Sequence, residues 1–352
     1  MRIAGVGRAF PEHYYSQEVL SEALKKHWAK RHFNLVRLDQ LHRNVLVDGR
    51  HLALPLEEYE ALDSFTASND AFIRVAVDVG ARAIQNVLEA SGLETGDVNH
   101  LIFVSTTGIA TPSVDARIAN RLGLRSDFKR TPLFGLGCVA GAVGITRAAD
   151  YLRAFPGEAA VLLSVELCSL TLQRRDLSIP NIIATGLFGD GAAAVALVGA
   201  EREASGLSGP RVVASRSIFY RDTERVMGWD ITADGFSVVL SAEIPDLVKR
   251  EMRRDVDSFL SARGLTLADI EVFVCHPGGP KILEAFQEAL GVSEEALALT
   301  WDTLKRVGNL SSASVLLVLD DTLKTKSPAP GAYGLLMAMG PGFCSELVLL
   351  QW

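Results

Sequence analysis

The amino-acid sequence predicts an α/β protein built from two similar halves. Short apolar runs alternate with longer amphipathic segments, a pattern typical of strands interleaved with helices. The segments GDVNHLIFVSTTG (96–108) and LADIEVFVCHPGG (267–279) share a pattern. Each precedes a run of small residues, GCVAGAVGITRAADYL from 137 and GNLSSASVLLVLDDTL from 308. Such a repeat indicates a duplicated fold, although any two α/β halves share some likeness.

Hydrophobic periodicity predicts the individual elements. Three short apolar runs rich in small and branched side chains predict buried strands: 100–106, 159–166 and 192–199. Residues 70–91 carry apolar side chains at helical spacing, and Gly92 follows as the expected C-cap. Polar and charged residues concentrate at 21–63, which we expect to be helical and partly at the surface.

The composition is that of a globular protein. The chain has 352 residues, of which 48% are hydrophobic and 22% charged, and its net charge is −7. This acidic balance gives no reason to expect nucleic acid as a partner. No uncharged apolar stretch reaches the roughly 18 residues of a membrane span, and the N-terminus lacks the apolar core of a signal peptide. We therefore expect a cytoplasmic protein without a membrane span.

The four cysteines, Cys138, Cys168, Cys275 and Cys344, are widely separated along the chain. No pair has the C-x-x-C spacing of a zinc site, so we expect no metal. In a reducing compartment each thiol stays free, and each must be interpreted by its own surroundings.

Cys138 lies in FGLGCVAGAV (134–143), between a predicted strand and a predicted helix. At a helix N-terminus the free N–H groups and the helix dipole stabilise a thiolate and lower the thiol pKa from about 8.5. Flanking glycines and alanines allow close approach of a substrate. The alternative is a small buried cysteine in a tight helix contact.

Two polar residues in the second half could assist such a thiol. His276 ends the apolar run EVFVC and is followed by glycines, and Asn309 precedes a run of small residues. A structural histidine and a helix N-cap are the simpler interpretations. Together, however, imidazole and amide donors would stabilise an oxyanion facing Cys138. In the duplicated fold Asn309 occupies the position that Cys138 has in the first half.

Five motifs, FGLGCVAGA, ATGLFGDGAAAV, VCHPGGPKIL, GNLSSASVL and AMGPGF, resemble in order and spacing those of the type III polyketide synthases, the chalcone synthase-like enzymes. The resemblance runs from about Arg2 to Leu350. It implies the duplicated five-layered α-β-α-β-α thiolase architecture, with halves at 1–205 and 206–352. It also implies a homodimer and a catalytic triad of Cys138, His276 and Asn309.

The resemblance implies a reaction as well. An acyl-CoA starter loads Cys138, which acts as a thiolate paired with protonated His276. Malonyl-CoA loses CO₂, and His276 and Asn309 stabilise the enolate. Repeated condensation builds a poly-β-keto chain that cyclises. CoA thioesters are the substrates, and no permanently bound cofactor is implied.

Further residues match the family's substrate-binding positions. Phe188 matches an aromatic gatekeeper between the CoA tunnel and the cavity, and Val238 stands where a second aromatic gatekeeper is expected. Other cavity-lining matches are Thr106, Thr111, Cys168, Thr171 and Ser311. Of these, Thr111 matches a residue that reaches into the partner's cavity.

The phosphates of CoA require basic residues at the mouth of the tunnel. The candidates are Lys281, directly after HPGGP, and Arg43 and Arg50, which come from a weakly matching region. For Arg43 and Arg50, solvation at the surface is the simpler interpretation.

The small Val238 favours a fatty acyl starter and alkylpyrone or alkylresorcinol products. A tetrahydroxynaphthalene-type synthase that uses malonyl-CoA alone is the alternative, and Cys168 fits that group. A priming ketoacyl-ACP synthase shares the three site residues, but its histidine stands in an H-Q-A-N context, whereas His276 precedes Pro-Gly-Gly-Pro. A catalytically silent scaffold homologue is the non-enzyme alternative, against which the intact triad argues.

Overall fold

The structure is a computed structural model that describes residues 1–28, 34–202 and 209–352. Its strands are β1 (Arg2–Ala9), β2 (His13–Ser16), β3 (Gly49–Leu52), β4 (Val98–Val104), β5 (Lys129–Leu133), β6 (Ala159–Leu167), β7 (Asp190–Val198), β8 (Arg211–Phe219), β9 (Met227–Thr232), β10 (Gly235–Leu240), β11 (Ile270–Cys275), β12 (Tyr333–Gly340) and β13 (Cys344–Gln351). Its α-helices are α1 (Gln17–Trp28), α2 (Leu35–Asn44), α3 (Phe65–Ser91), α4 (Val114–Leu122), α5 (Ala140–Ala154), α6 (Ile179–Leu187), α7 (Ile244–Ser261), α8 (Pro280–Leu290), α9 (Ala298–Val307) and α10 (Ser314–Thr325).

Nine strands form one sheet in the order β11-β12-β13-β8-β1-β7-β6-β4-β5. In the first half β1 pairs antiparallel with β7, β7 antiparallel with β6, and β6 parallel with β4. In the second half β8, β13, β12 and β11 repeat this sequence of antiparallel, antiparallel and parallel pairings. The halves meet where Arg2 of β1 pairs with Arg211 of β8. This repeated topology confirms the predicted duplication.

Alternating side chains build five layers, because successive residues of a strand face opposite sides of the sheet. In β4, Ile102 and Val104 join a central core with α5 and α10, whereas Leu101 and Phe103 join an outer core with α3. The second half repeats this arrangement, with its other outer core on α7 and α8. The two halves of the sheet thus pack on opposite sides of the central helices, and the layers are helix, half-sheet, central helices, half-sheet and helix, as predicted.

Small residues allow the two central helices to lie close together. A Cβ added to Gly141 of α5 would be 2.2 Å from the carbonyl oxygen of Ser312, just before α10. A Cβ added to Gly144 would be 2.4 Å from Leu162 of β6. Gly141 therefore allows the starts of α5 and α10, near Cys138 and Asn309, to lie close together, and Gly144 allows α5 to pack closely on β6.

Most local predictions are confirmed. The predicted helix is α3, with Ser64 accepting a hydrogen bond from the Ala67 N–H at its start and Gly92 in the left-handed conformation (φ 66°) at its end. The three predicted strands overlap β4, β6 and β7, and the predictions for β4 and β7 run two residues and one residue past the observed ends. The helical prediction for 21–63 is wrong at β3, because pairing with the distant β2 makes that segment a strand. The predicted boundary at 205/206 lies outside the described residues.

Among the described residues, no helix is long and apolar enough to span a membrane. No group of three or more histidine, cysteine, aspartate or glutamate side chains among them could hold a metal ion.

Candidate active site

Cys138 lies in a short 3₁₀ turn, Gly137–Val139, that leads directly into α5. Gly137 has a φ of 51°, and a Cβ there would be 2.6 Å from Pro341, so glycine is required beside the cysteine. Cys138 is 8% exposed, and its Sγ donates to the Ser311 hydroxyl at 3.6 Å. The first half thus places the Cys138 thiol at the N-terminal end of the central helix α5.

Backbone contacts hold Asn309 at the corresponding point of the second half. Its N–H donates to the Leu187 carbonyl at 2.9 Å, and its carbonyl accepts from the Gly189 N–H at 3.0 Å. In the side chain, Oδ1 accepts from the Ser311 N–H at 2.8 Å and Nδ2 donates to the Gly278 carbonyl at 3.3 Å. These contacts fix the orientation of the amide, and a hydrogen bond from its side chain to Cys138 acts to lower the pKa of that thiol.

His276 directly follows β11 and is held by its backbone. Its N–H donates to the Met337 carbonyl, and its carbonyl accepts from the Gly278 N–H, both at 2.9 Å. The side chain is buried, and both ring nitrogens are without a hydrogen-bond partner among the described residues. Because buried polar atoms are nearly always paired, the unpaired ring indicates a place for a substrate atom.

Burial determines the charges of the resting site. It raises the pKa of the Cys138 thiol to about 12, against the opposing effect of its contact with Ser311. Burial also lowers the pKa of His276 to about 3. In the free site, burial therefore opposes ionisation of both groups. The pairing of a thiolate with an imidazolium stays a prediction.

Glu166, near the end of β6, is a buried residue that the sequence analysis missed. Its carboxylate accepts from the Thr106 N–H and hydroxyl at 3.0 and 3.1 Å, from the Thr107 hydroxyl at 3.0 Å, and from the Ser312 hydroxyl. Burial raises the pKa of Glu166, and its charge contributes to the raised pKa of Cys138. A single acid in the apolar run AAVLLSVEL was the available signal.

A cavity of about 540 Å³, hereafter the active-site cavity, joins the three predicted catalytic residues. The predicted residues that line it are Cys138, His276, Asn309, Thr106, Ser311, Phe188, Val238 and Lys281. Arg43 is exposed on α2, whose residues Leu41 and Asn44 line the cavity. Fold and sequence therefore bring most predicted site residues to one place.

A second cavity of about 170 Å³ adjoins the first. Cys168, Thr171 and Arg50 line it, and Phe188, Trp229 and Val238 line both cavities. Trp229 faces Val238 directly across the β9–β10 hairpin. The sequence analysis missed Trp229, because the hairpin register that sets it opposite Val238 was not predicted.

Thr111 and Arg50 differ most from the positions that the sequence predicts. Thr111 is exposed, precedes Pro112 through a cis peptide bond, and lines neither cavity of its own chain. Arg50 is only 3% exposed, and its guanidinium donates to the carbonyls of Thr185 and Gly186 and to Gln17. The prediction that Arg50 binds a CoA phosphate at the cavity mouth is wrong, because its side chain is turned into the interior.

Fold and site together define a class. A duplicated five-layered protein, with a thiol at the start of one central helix and an amide at the start of the other, has the architecture of condensing enzymes that transfer acyl groups through cysteine.

Comparisons with known proteins identify the family. The sequence-family model of chalcone and stilbene synthases has two domains, and both match this chain. The N-terminal domain matches residues 1–202, and the C-terminal domain matches residues 211–352. The chain belongs to this family, the type III polyketide synthases. It is an acyltransferase that carries out decarboxylating condensation, and CoA thioesters are the substrates of its family.

Individual relatives agree with the family match. The chain is 48% identical over 350 residues to a 1,3,6,8-tetrahydroxynaphthalene synthase of Streptomyces peucetius subsp. caesius, covering 99% of this chain and 93% of that protein. It is 37% identical to a putative chalcone synthase of Bacillus subtilis, covering 99% and 98%. The crystal structure of the Streptomyces coelicolor A3(2) tetrahydroxynaphthalene synthase superposes with a TM-score of 0.94 at 30% identity, covering 100% and 99%.

Proposed function

We propose that this enzyme builds a tetrahydroxynaphthalene-type polyketide from malonyl-CoA, with malonyl-CoA serving as both primer and extender. The observation that carries the condensation chemistry is the unpaired His276 ring, which lines the same cavity as Cys138 and Asn309. The choice of product is supported by the 48% identity to a synthase of that name over 99% of the chain.

Priming is a thioester exchange at Cys138. Burial raises the pKa of the thiol, so its proton leaves as the sulfur attacks, and an unpaired His276 nitrogen is the proposed acceptor. The bond from Sγ to the acyl carbon forms, and the bond from that carbon to the CoA sulfur breaks. The proton ends on the departing CoA thiolate.

Extension needs donors for an oxyanion. When malonyl-CoA loses CO₂, the electron pair of the broken carbon–carbon bond moves to the thioester oxygen. An N–H of His276 and an Nδ2 hydrogen of Asn309 stabilise that enolate. The carbanion then attacks the acyl group on Cys138, and the bond to Sγ breaks. The lengthened chain, now on CoA, returns to Cys138 by the same exchange.

Priming by a fatty acyl group, with alkylpyrone or alkylresorcinol products, is a second candidate. The observation that favours it is the small Val238 in the wall between the two cavities, where a larger side chain would separate them more completely. A Val238→Phe variant should then shorten the starters that the enzyme accepts.

One experiment separates the two candidates. The purified enzyme is incubated with malonyl-CoA alone and with malonyl-CoA plus a series of acyl-CoA primers, and products are identified by mass spectrometry. We expect a pentaketide naphthalene from malonyl-CoA alone. Products that form only when a fatty acyl-CoA is present would overturn this proposal in favour of the second candidate.

The remaining site and assembly predictions stay part of this proposal. Lys281, which lines the active-site cavity, and the exposed Arg43 near its mouth are proposed to contact CoA phosphates. A cytoplasmic homodimer is proposed, with Thr111 directed to the partner's cavity. The exposed apolar side chain of Ile109, two residues before Thr111, supports an interface there. Sedimentation velocity tests the dimer, and a monomeric wild-type enzyme with full activity would contradict it.

A further inference from the structure

The condensation chemistry does not use the second cavity. A wall formed by Phe188, Trp229 and Val238 separates this cavity from the active-site cavity. Among its charged lining residues, Glu60 and Arg174 are more exposed, whereas Arg50 is buried. A buried arginine on the wall of an internal cavity needs a physical explanation.

The hydrogen bonds of Arg50 satisfy only part of its guanidinium. Nη1 donates to Gln17 and to the Gly186 carbonyl, and Nη2 donates to the Thr185 carbonyl. Nε is buried and has no partner in the part of the chain that the structure describes. The Nε–H of a residue that lines the second cavity is therefore unpaired.

The charge of Arg50 is also incompletely neutralised. None of the ion pairs among the described residues includes Arg50. The nearby Asp190 is occupied elsewhere, accepting from the N–H groups of Ala53 and Ser169 and from the Ser169 hydroxyl. Burial lowers the pKa of Arg50 to about 10, which still leaves it cationic at neutral pH. A buried cation with an open N–H is complementary to an anionic oxygen.

We propose that the second cavity is a subsite for a carboxylate at the far end of the acyl chain attached to Cys138, with Arg50 Nε–H as its donor. The subsite rests on the proposed function, since that function puts the chain on Cys138. The substrate class is thus an ω-carboxyacyl thioester, and a malonyl primer that keeps its carboxylate yields such a chain as it lengthens. The far end passes the wall formed by Phe188, Trp229 and Val238.

The test compares matched primers on the wild-type enzyme. Succinyl-, glutaryl-, adipyl- and pimelyl-CoA are measured against butyryl-, valeryl-, hexanoyl- and heptanoyl-CoA, with kcat/KM for acylation of Cys138 as the readout. We expect the acids to be preferred by about tenfold once the chain is long enough to pass the wall, the effect of one charge-assisted hydrogen bond. Equal kcat/KM values at every length would overturn the subsite.

Variants locate the preference. Arg50→Met should abolish it, whereas Arg37→Met on the exposed face of α2 is the matched control and should retain it. Arg50 also donates hydrogen bonds to backbone carbonyls, so a second variant, Val238→Trp, is used if Arg50→Met does not fold. Val238→Trp narrows the passage between the two cavities without altering the guanidinium, and it should also remove the preference for acids. A preference that persists in Val238→Trp contradicts the assignment.

Failure of the subsite and failure of the proposed function give different results. If release of CO₂ from malonyl-CoA and product formation are intact but acids and neutral primers react alike, the subsite is wrong and the condensation stands. If malonyl-CoA gives neither CO₂ nor product, the proposed function itself fails.

Discussion

The two halves of this molecule share one topology and differ in what lies at the ends of their elements. In the first half, Thr106 follows β4 and donates both its N–H and its hydroxyl to Glu166, and Cys138 precedes α5. In the second half, His276 follows β11 with an unpaired ring, and Asn309 precedes α10. Duplication therefore placed equivalent positions in the two halves. The chemistry at each position depends on whether its polar groups are hydrogen-bonded within the protein or unpaired.

The largest expected effect comes from exchanging the two equivalent residues for alanine. Cys138→Ala should abolish acylation, with condensation reduced by a factor on the order of 10⁴ or more, because Cys138 is the only cysteine among the described residues that lines the active-site cavity. Asn309→Ala should still be acylated but should lose decarboxylation by about 10²–10³, the effect of one oxyanion donor. Intact-protein mass spectrometry and CO₂ release separate the two losses.

Cys344→Ala is the matched control for the first variant, since Cys344 is a free thiol at the start of β13. It should remain active. If Cys138→Ala were still acylated, or if Asn309→Ala decarboxylated malonyl-CoA at the wild-type rate, the assignment of different roles to the two halves would be wrong.

The protonation of the resting pair can be measured directly. The pKa of Cys138 is raised to about 12 and that of His276 is lowered to about 3, so the thiolate fraction grows with pH across the whole neutral range. The rate of alkylation of Cys138 by iodoacetamide should therefore rise about tenfold per pH unit from pH 6 to pH 9. A rate that is constant over this interval would instead indicate a thiolate stabilised by imidazolium.

A substitution with a smaller expected effect tests the hydrogen bonds that Glu166 accepts in the first half. Glu166→Gln removes the charge that helps to raise the pKa of Cys138, so alkylation at pH 8 should become severalfold faster. The amide cannot accept all the hydrogen bonds from Thr106, Thr107 and Ser312, so we expect a stability loss of about 1–3 kcal/mol. Denaturant unfolding and alkylation rates measure the two effects, and slower alkylation in a folded variant would contradict the first.

The smallest effect is expected at the cavity mouth. Lys281→Ala should raise the KM for malonyl-CoA by about two- to fivefold with little change in kcat, because an exposed charge pair contributes up to about 1 kcal/mol. Lys281→Arg serves as the charge-preserving control. An unchanged KM would remove Lys281 from the proposed CoA site, while the comparison of Cys138 with Asn309 would be unaffected.

The sequence was sufficient for features with local or repeated signals. Apolar periodicity predicts α3 and the central strands, and the repeated pattern predicts the duplication and the meeting of Cys138 with Asn309. The sequence was not sufficient for features that tertiary packing determines. The burial that shifts the pKa values of Cys138 and His276 and the inward turn of Arg50 depend on contacts between segments far apart in the chain. The position of Trp229 depends on a hairpin register that the sequence does not specify.

The β9–β10 hairpin carries Trp229 and Val238 but forms a separate two-stranded sheet outside the nine-stranded one. Its residues can therefore change without breaking a ladder of the main scaffold. A descendant of this enzyme could acquire a new product range by exchanging one short ribbon, while the bond-forming groups at the helix ends were inherited intact.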